Sequence, residues 1–532
     1  MGVNPVSGVG RSSQNRSDRS GLPFFRGLRR SGARILGRGM ILALVTGCTT
    51  VGPDFKSPTL AKGVSVLPAS SPQVGGAEGD AQHFVAGQTG SQDWWKSYGC
   101  PDLDGLVQIA LDQNPTVEAA RATLIQAGEN ATAIQDNLTL PTVDAQFAQT
   151  RQRFSTAAFG MPGGQIYQFN LSNASVNVSY PLDVFGGNRR QVEALQAQHE
   201  MQAHLWQAAR ETLIANVVTT VVREASLRAQ LDATNALLQA QGELLDLTRQ
   251  RQGMGALSLN EMAEPQAELA QSRANREVLA LQLDQIRHQL AAYLGQYPAQ
   301  NSLPEFHLAD LHLPQFLPQA VPSALLRQRP DIRASEAQWH QATANLGVTI
   351  AGAYPNLTLT GDMGAMALTP GALFSPASSV WSLGAGVVQP IFHGGALSAA
   401  KRGAEAAVQS AAAQYRNTVV QAFRTVADVL RALTHDAATL EAERSIMEIR
   451  QQSLDLADQQ YRLGGISYPA LLAARVQDAQ AHMGVAQAQG VRLADTAAFY
   501  LALGGEVDPA AVAQATPVSP SSSAQSALPD AR

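Results

Sequence analysis

Phe185-Gly186-Gly187 and Phe392-His393-Gly394-Gly395 each close a stretch with strand-like alternation and open a long stretch of helical composition. Paired glycines there permit the positive φ angles that turn a strand into a helix. Reading outward from both junctions, the chain repeats itself, and a repeat decides architecture before any local feature. Leu111-Asp112-Gln113-Asn114-Pro115 matches Leu326-Arg327-Gln328-Arg329-Pro330, and Pro141 matches Pro355. Leu245-Asp246-Leu247, Gly255 and Leu294-Gly295 match Leu454-Asp455-Leu456, Gly464 and Leu503-Gly504 at one constant offset. Each half therefore reads helix, strand, strand, long helix, turn, helix. Pro115 and Pro330 suit a first helical turn, and Asp331 complements the dipole there, so Arg329-Pro330-Asp331-Ile332-Arg333 reads as a helix start rather than a catalytic cluster.

The run from 188 to 252 would reach about 95 Å as one helix. The run after Gly395 is similar. The remaining helices, about 103–137, 258–294, 322–353 and 467–503, are little over half as long, so two stacked end to end match one long one. Leu279, Leu283, Ile286, Leu290 and Tyr293 follow the 4-3-4-3 spacing of a bundle seam. Pro265 inside the second of these helices predicts a local bend.

Between the helices lie strand-like segments at about 142–151, 167–180, 356–364 and 380–392, with alternation in Val176, Val178 and Tyr180. Strands of about ten residues suit an outer-membrane barrel, which needs roughly eight strands or more to close. Open edges are not tolerated in lipid, so several copies must share one barrel, and two or three would each give an even number. The fold class expected is an α+β membrane protein with a two-fold internal repeat. Loops 153–166 and 365–379, rich in Gly, Ala, Pro and Ser, are the expected exposed tips.

Composition excludes other classes. The chain has 532 residues, 45% hydrophobic and 15% charged, with two Cys and a net charge of −5. Two Cys cannot build a disulfide scaffold, and the mildly acidic balance offers no nucleic-acid surface. No apolar run reaches the roughly 18 residues of a membrane-spanning helix. Residues 1–47 carry eight Arg and one acid, Asp18, then Met40-Ile41-Leu42-Ala43-Leu44-Val45 and Thr46-Gly47-Cys48. Leu44-Val45-Thr46-Gly47-Cys48 looks like a bacterial lipobox, so Cys48 is the expected lipidation site and 1–47 its signal peptide. Removing that peptide takes the net charge from −5 to −12. By resemblance to such lipoproteins, Thr49, where Asp would favour the inner membrane, directs the chain to the outer membrane of a Gram-negative cell. The expected divisions are 1–47 signal peptide, 48–101 lipidated tether that wraps the barrel, 102–321 and 322–507 the two repeats, and 508–532 a disordered tail.

Val51-Gly52-Pro53-Asp54-Phe55, Trp94-Trp95, Leu182-Asp183-Val184-Phe185-Gly186-Gly187-Asn188-Arg189-Arg190, Gln389-Pro390-Ile391-Phe392 and Tyr461-Arg462-Leu463-Gly464, in this order, resemble outer-membrane efflux factors of the TolC and OprM type. The likeness is to the NodT-like lipoprotein branch serving resistance-nodulation-division pumps. It implies a homotrimer with one twelve-strand outer-membrane β-barrel, four strands per chain, on a long periplasmic α-helical barrel. It implies as partners a periplasmic adaptor of the membrane fusion type, an inner-membrane resistance-nodulation-division transporter and outer-membrane lipid, with drugs or small toxic compounds as cargo. His393 and Ala396 depart from the second Phe-x-Gly-Gly pattern, and Gly504-Gly505-Glu506 from the usual glycine-rich end.

A passive duct needs no catalytic group, metal or cofactor beyond covalent diacylglycerol and N-acyl lipid on Cys48, and none of the familiar catalytic or metal motifs is present. The two helix-helix turns point away from the strands and are the expected adaptor-docking tips, through Gly255, Leu257 and Ser258 in the first half and Arg462, Gly464, Gly465, Ile466, Ser467 and Tyr468 in the second. Asp455 and Asp458 share a helix face before the second tip. They are candidates for a periplasmic gate of carboxylate rings, with Arg249 and Arg251 as candidates to oppose them across the neighbouring helix; the alternative is a solvated face on which Arg462 pairs with Asp458. Against the duct stand a structural coiled-coil envelope lipoprotein, which needs no lipid-facing alternation, and an outer-membrane duct for type I protein secretion.

Overall fold

The computed structural model describes residues 50–58, 81–85, 93–159, 165–300, 303–318 and 328–504. Cys48, the signal peptide and the 508–532 tail lie outside these residues. Among the described residues seven α-helices run α1 Pro101–Gln113, α2 Pro115–Thr139, α3 Gly187–Gly253, α4 Leu259–Tyr293, α5 Pro330–Ala351, α6 Ala396–Arg462 and α7 Tyr468–Leu503. The strands are β1 His83–Val85, β2 Thr142–Ser155, β3 Ile166–Leu182, β4 Phe316–Pro318, β5 Asn356–Ala367 and β6 Ser379–Val388.

The repeat is metrically tight. Helices α3 and α6 each have 67 residues, and each begins after a left-handed glycine, Gly186 at φ 78° and Gly395 at φ 86°. Not every junction glycine serves this way: Gly394 has φ 56°, but Gly187 is helical, and a Cβ there would stand 3.1 Å from the Ala351 Cβ. Close helix packing, rather than a left-handed backbone, accounts for Gly187.

The short helices stack end to end as expected. Asn114 caps α2 through Thr116 N–H and Val117 N–H, and its Nδ2 donates to the Tyr293 carbonyl at 2.9 Å, joining α2 to the end of α4. In the second half the Arg329 guanidinium donates to the Ala502 carbonyl, joining α5 to the end of α7. The expected single helix over 103–137 is two. Asn114 is extended (φ −72°, ψ 121°) because a residue before proline is driven out of the α region, so the chain restarts at Pro115. Of the expected 322–353 helix, the described part begins at Pro330.

Midway along α3, residues Leu213 to Leu227 are buried almost continuously. A belt built from both ends of the sequence surrounds them. Trp94, Trp95 and Tyr98 precede α1 and pack with Leu103, Leu290, Leu294, Phe499 and Leu503; the Trp94 ring stacks on Tyr500 at 5.1 Å. Tyr98 donates its hydroxyl to the Leu493 carbonyl at 2.8 Å. β1 and β4, which the sequence reading missed, add a two-stranded parallel pair. The segment before α1 is therefore partly core, and not only an extended tether.

The other four strands form one antiparallel sheet in the order β2-β3-β5-β6. β2 and β6 have no neighbour on their outer edges among the described residues. The strands outrun the expectation at the loop ends, to Ser155 and Ala367, and β6 stops at Val388, just before Gln389-Pro390.

Candidate functional site: the duct wall, its base and its tips

Alternation becomes readable once register is known, because successive residues point to opposite faces. On one face lie five rows, from Leu182/Leu357/Val387 through Val143/Val178/Gly361/Leu383 and Ala145/Val176/Met363/Trp381 to Phe147/Ala174/Ala365/Ser379. Four steps of two residues span about 26 Å along a strand, or about 20 Å along the membrane normal at an outer-membrane barrel's tilt. An apolar band of that height matches a lipid-facing girdle. On the opposite face Gln146, Asn173, Ser175, Ser179, Thr358 and Thr360 make a polar lumenal wall. Its only charged strand residues among those described, Asp144 and Asp362, share one row as Asp144/Asn177/Asp362/Ser382. No described helix is long and apolar enough to cross a membrane.

At the base of the sheet the described N-terminal segment is seated on helices, not wrapped around strands. Val51 N–H donates to the Phe185 carbonyl at 3.1 Å, and Thr50 lies against Gly186 so closely that a Cβ there would come 2.8 Å from its Cα. Gly52 rests on Gly347 of α5. The buried Arg190 guanidinium bonds Asp54 and Glu193 and the Val51 carbonyl. Phe55 stacks on His340 at 4.6 Å and meets Trp339 edge-on. Val51-Gly52-Pro53-Asp54-Phe55 is thus a complement to the α3–α5 groove, which the sequence alone did not reveal.

At the far end of the helices both turns use the same bonds, 209 residues apart. Gly255 and Gly464 have φ 77° and 75°, and Ala256 N–H and Gly465 N–H donate back to the Arg251 and Gln460 carbonyls at 2.9 and 2.7 Å. This is a Schellman ending, which satisfies the last helical carbonyls. Ser258 and Glu261 form a capping box into α4, whereas Ser467 makes no side-chain cap and Tyr468-Pro469 follows. Leu257 and Ile466 are half-buried; the equivalent Met254 and Leu463 are the large apolar side chains that stand exposed. Both occupy the residue before the turn glycine, a position whose exposure the pattern does reveal in retrospect.

One cluster breaks the tip symmetry. The Tyr468 hydroxyl donates to Glu243 Oε2 at 2.7 Å, tying the start of α7 to α3, with Arg475 3.5 Å from the same carboxylate and Gln239 also donating to it. The Tyr468 hydroxyl, with Gln239, holds the Glu243 carboxyl below the usual carboxylate range, and the bond to Glu243 pushes the Tyr468 phenol up. Tyr461 packs on Tyr468 at 5.2 Å. The positions 209 residues away are Leu259 and Gln452, so the first tip has no counterpart. Asp458 pairs with Arg462 on its own helix at 2.5 Å, Asp455 is exposed, and Arg249 pairs with Asp246 at 3.0 Å. Within one chain the structure does not bring Arg249 or Arg251 to the two acids.

A lipid-facing sheet sector on paired helices as long as these defines an outer-membrane channel subunit. The family model described as outer membrane efflux protein matches residues 106–296 and 321–505, and the chain belongs to that family. It is 29% identical over 428 residues to the pyoverdine export outer membrane protein OpmQ of Pseudomonas putida, covering 78% of this chain and 88% of that one. It is 28% identical over 372 residues to the fusaric acid resistance protein FusA of Burkholderia cepacia, covering 69% and 68%. Among solved structures, the outer-membrane channel OprN is 26% identical with a TM-score of 0.76, over 86% of this chain and 99% of that chain. The open MtrE channel of Neisseria gonorrhoeae is 26% identical with a TM-score of 0.73, over 86% and 98%. The chain is an outer-membrane channel component of an efflux system, with the α+β, two-fold repeated fold expected from its sequence.

Proposed function

We propose that three copies close one twelve-strand barrel and conduct small toxic compounds passively, from an inner-membrane pump and a periplasmic adaptor to the outside. The observation that carries this reading is the four-stranded sheet with an apolar outer face, a polar inner face and two open edges, set on 67-residue helices. Eight strands enclose an interior that side chains just fill, so two copies would make a plug, whereas twelve leave a lumen. Acyl lipid on Cys48 would anchor the chain shortly before Thr50 in sequence, and Thr50 lies against Gly186 at the strand-to-helix turn. The exposed tips, with Met254 and Leu463 added to the residues named above, suit adaptor docking. The tie between Tyr468 and Glu243 favours a closed periplasmic end more directly than Asp455 and Asp458 do, since it joins two helices.

The relatives are named for pyoverdine export and for fusaric acid resistance. A strain lacking this chain is tested against antibiotics, dyes, solvents, metals and plant phenolics. Sensitivity to at least one class, restored by the intact protein, is expected; a strain as resistant as its parent to all of them refutes efflux as the role. Cys48→Ser removes incorporated radioactive fatty acid if the lipid is attached there, and Gly465→Asp weakens adaptor crosslinking while the assembly persists.

A further inference from the structure

Charge on the four-stranded sheet is divided by face. Among the described strand residues, the outward face that carries the apolar rows holds Arg151 and Arg153 as its only charges, and the lumenal face holds Asp144 and Asp362. Both arginines are exposed, and no acid shares their face of the four strands. Across the β2–β3 ladder they stand opposite the amides Asn170 and Gln168. The hairpin itself does not demand them. Pro141 and Pro355 stand before the two hairpins, 214 residues apart, and the residues 214 after the two arginines are Ala365 and Ala367. An arginine on a lipid-facing surface is costly at the bilayer midplane and tolerated near the boundary, so position along the strand decides what these two can do.

That position is just beyond the apolar band. Phe147 ends the band on β2, and Arg151 and Arg153 lie four and six residues further toward the loop end. At about 3.3 Å per residue and an outer-membrane barrel's tilt, these steps raise them about 10 and about 15 Å along the membrane normal. The headgroup layer outside the hydrocarbon is about 5–8 Å deep for an ordinary phospholipid, so Arg151 meets headgroup level and Arg153 stands past it. The long helices leave the opposite end of the sheet, so the loop end and its arginines meet the outer leaflet. Guanidinium groups bind phosphate through paired N–H donors. Two of them at two depths on one outward face fit a lipid whose phosphates are spread over a saccharide headgroup, rather than one whose phosphate lies at a single depth beside glycerol. We propose that Arg151 and Arg153 form a basic collar that binds the phosphates of a saccharide lipid of the outer leaflet, lipopolysaccharide by chemical class. The collar belongs to one hairpin of one chain, so it stands whatever number of copies closes the barrel.

The assembled full chain, purified in non-ionic detergent and stripped of lipid, is titrated with lipopolysaccharide, and binding is read from the rise in melting temperature. Wild type is expected to bind at least about tenfold more tightly than Arg151→Gln with Arg153→Gln. Arg151→Lys with Arg153→Lys should keep most of the affinity, because an ammonium still pairs with phosphate. Lipopolysaccharide freed of its phosphates with hydrofluoric acid should bind wild type as weakly as the intact lipid binds the glutamine variant, and this arm needs no variant to fold. Equal binding of the dephosphorylated lipid, or a glutamine variant within twofold of wild type, overturns the collar. Phosphatidylglycerol bound as tightly as lipopolysaccharide overturns the saccharide lipid as its partner. Inorganic phosphate that displaces lipopolysaccharide at equal phosphate concentration overturns a lipid site in favour of a general anion site.

Discussion

Tyr468→Phe removes one hydroxyl and tests the tip tie cleanly. The variant keeps the ring contact with Tyr461 at 5.2 Å and the approach of Arg475 to Glu243 at 3.5 Å. A hydrogen bond to a charged acceptor contributes about 1.5–3 kcal/mol when shielded. The Glu243 side chain is 34% exposed, so water competes and about 1 kcal/mol per chain is the working figure. If three tips open together, about 3 kcal/mol is lost, and the closed-to-open ratio falls roughly 100-fold, at tenfold per 1.4 kcal/mol. Single-channel recording in planar bilayers reads this as a large rise in open probability. The sign with pH follows from Glu243, whose folded pKa is depressed from 4.5. Its contribution is fully present above that unfolded value and is lost as pH falls through the lower folded one. Wild type should therefore open as pH drops below about 4.5, be unaffected through this group between pH 6 and 8, and Tyr468→Phe should show a weaker acid response, because Gln239 and Arg475 still lower the Glu243 pKa. Altering Leu259 and Gln452, the equivalent positions, should do nothing. An open probability within twofold of wild type for Tyr468→Phe, in protein of unchanged thermal stability, refutes the tie as a closing element.

Asp436 behaves in the opposite sense. Burial, with a hydrogen bond to Asp495, pushes its carboxyl up to about 7 from 3.8, so the folded state takes up a proton that the unfolded state releases, and stability rises as pH falls from about 7 toward 4. Asp436→Asn should flatten that part of a melting-temperature profile; a slope equal to wild type refutes the shared proton. Gly186→Ala places a side chain at φ 78°, costing about 1–2 kcal/mol, and drives it into Thr50, so the N-terminal segment should become protease-sensitive, while Gly187→Ala should leave it protected. Asp144→Asn with Asp362→Asn removes the only charges on the described lumenal strand face, and the reversal potential under a salt gradient should move toward the non-selective value; no movement places selectivity elsewhere.

The punctuation of this chain was readable because it is local. Proline before a strand, a glycine at a strand end and a glycine past a helix each impose backbone geometry on their own neighbours, and their spacing revealed two equal helices. Asn114 was misjudged because helical composition on both sides of it outweighed the restriction that Pro115 imposes. The β1–β4 pair escaped notice since three residues carry no periodicity. Trp94 stood out as part of a motif but not as core, and Tyr98 not at all, because their partners Tyr500 and Leu493 lie at the other end of the chain. The Tyr468–Glu243 tie, 225 residues apart in sequence, leaves no local trace at all. Arg151 and Arg153 share a face with Phe147 and so masked the lipid-facing alternation until register separated the apolar rows from the polar rows above them.

The two open strand edges also govern how the protein reaches its membrane. β6 and β2 are different surfaces, so successive copies join head to tail, and such an interface is satisfied only when the ring closes. Each unpaired backbone group left in hydrocarbon costs several kcal/mol, which forbids a single sheet from entering lipid and waiting there for company. Insertion and association are therefore one event, and its rate should climb steeply with the number of chains present. Until that event each copy must keep Phe147, Met363, Trp381 and Leu383 out of bilayer and out of one another's way. The price of a shared wall is a soluble interval in which every chain carries an uncovered greasy face, and scarcity of copies prolongs it.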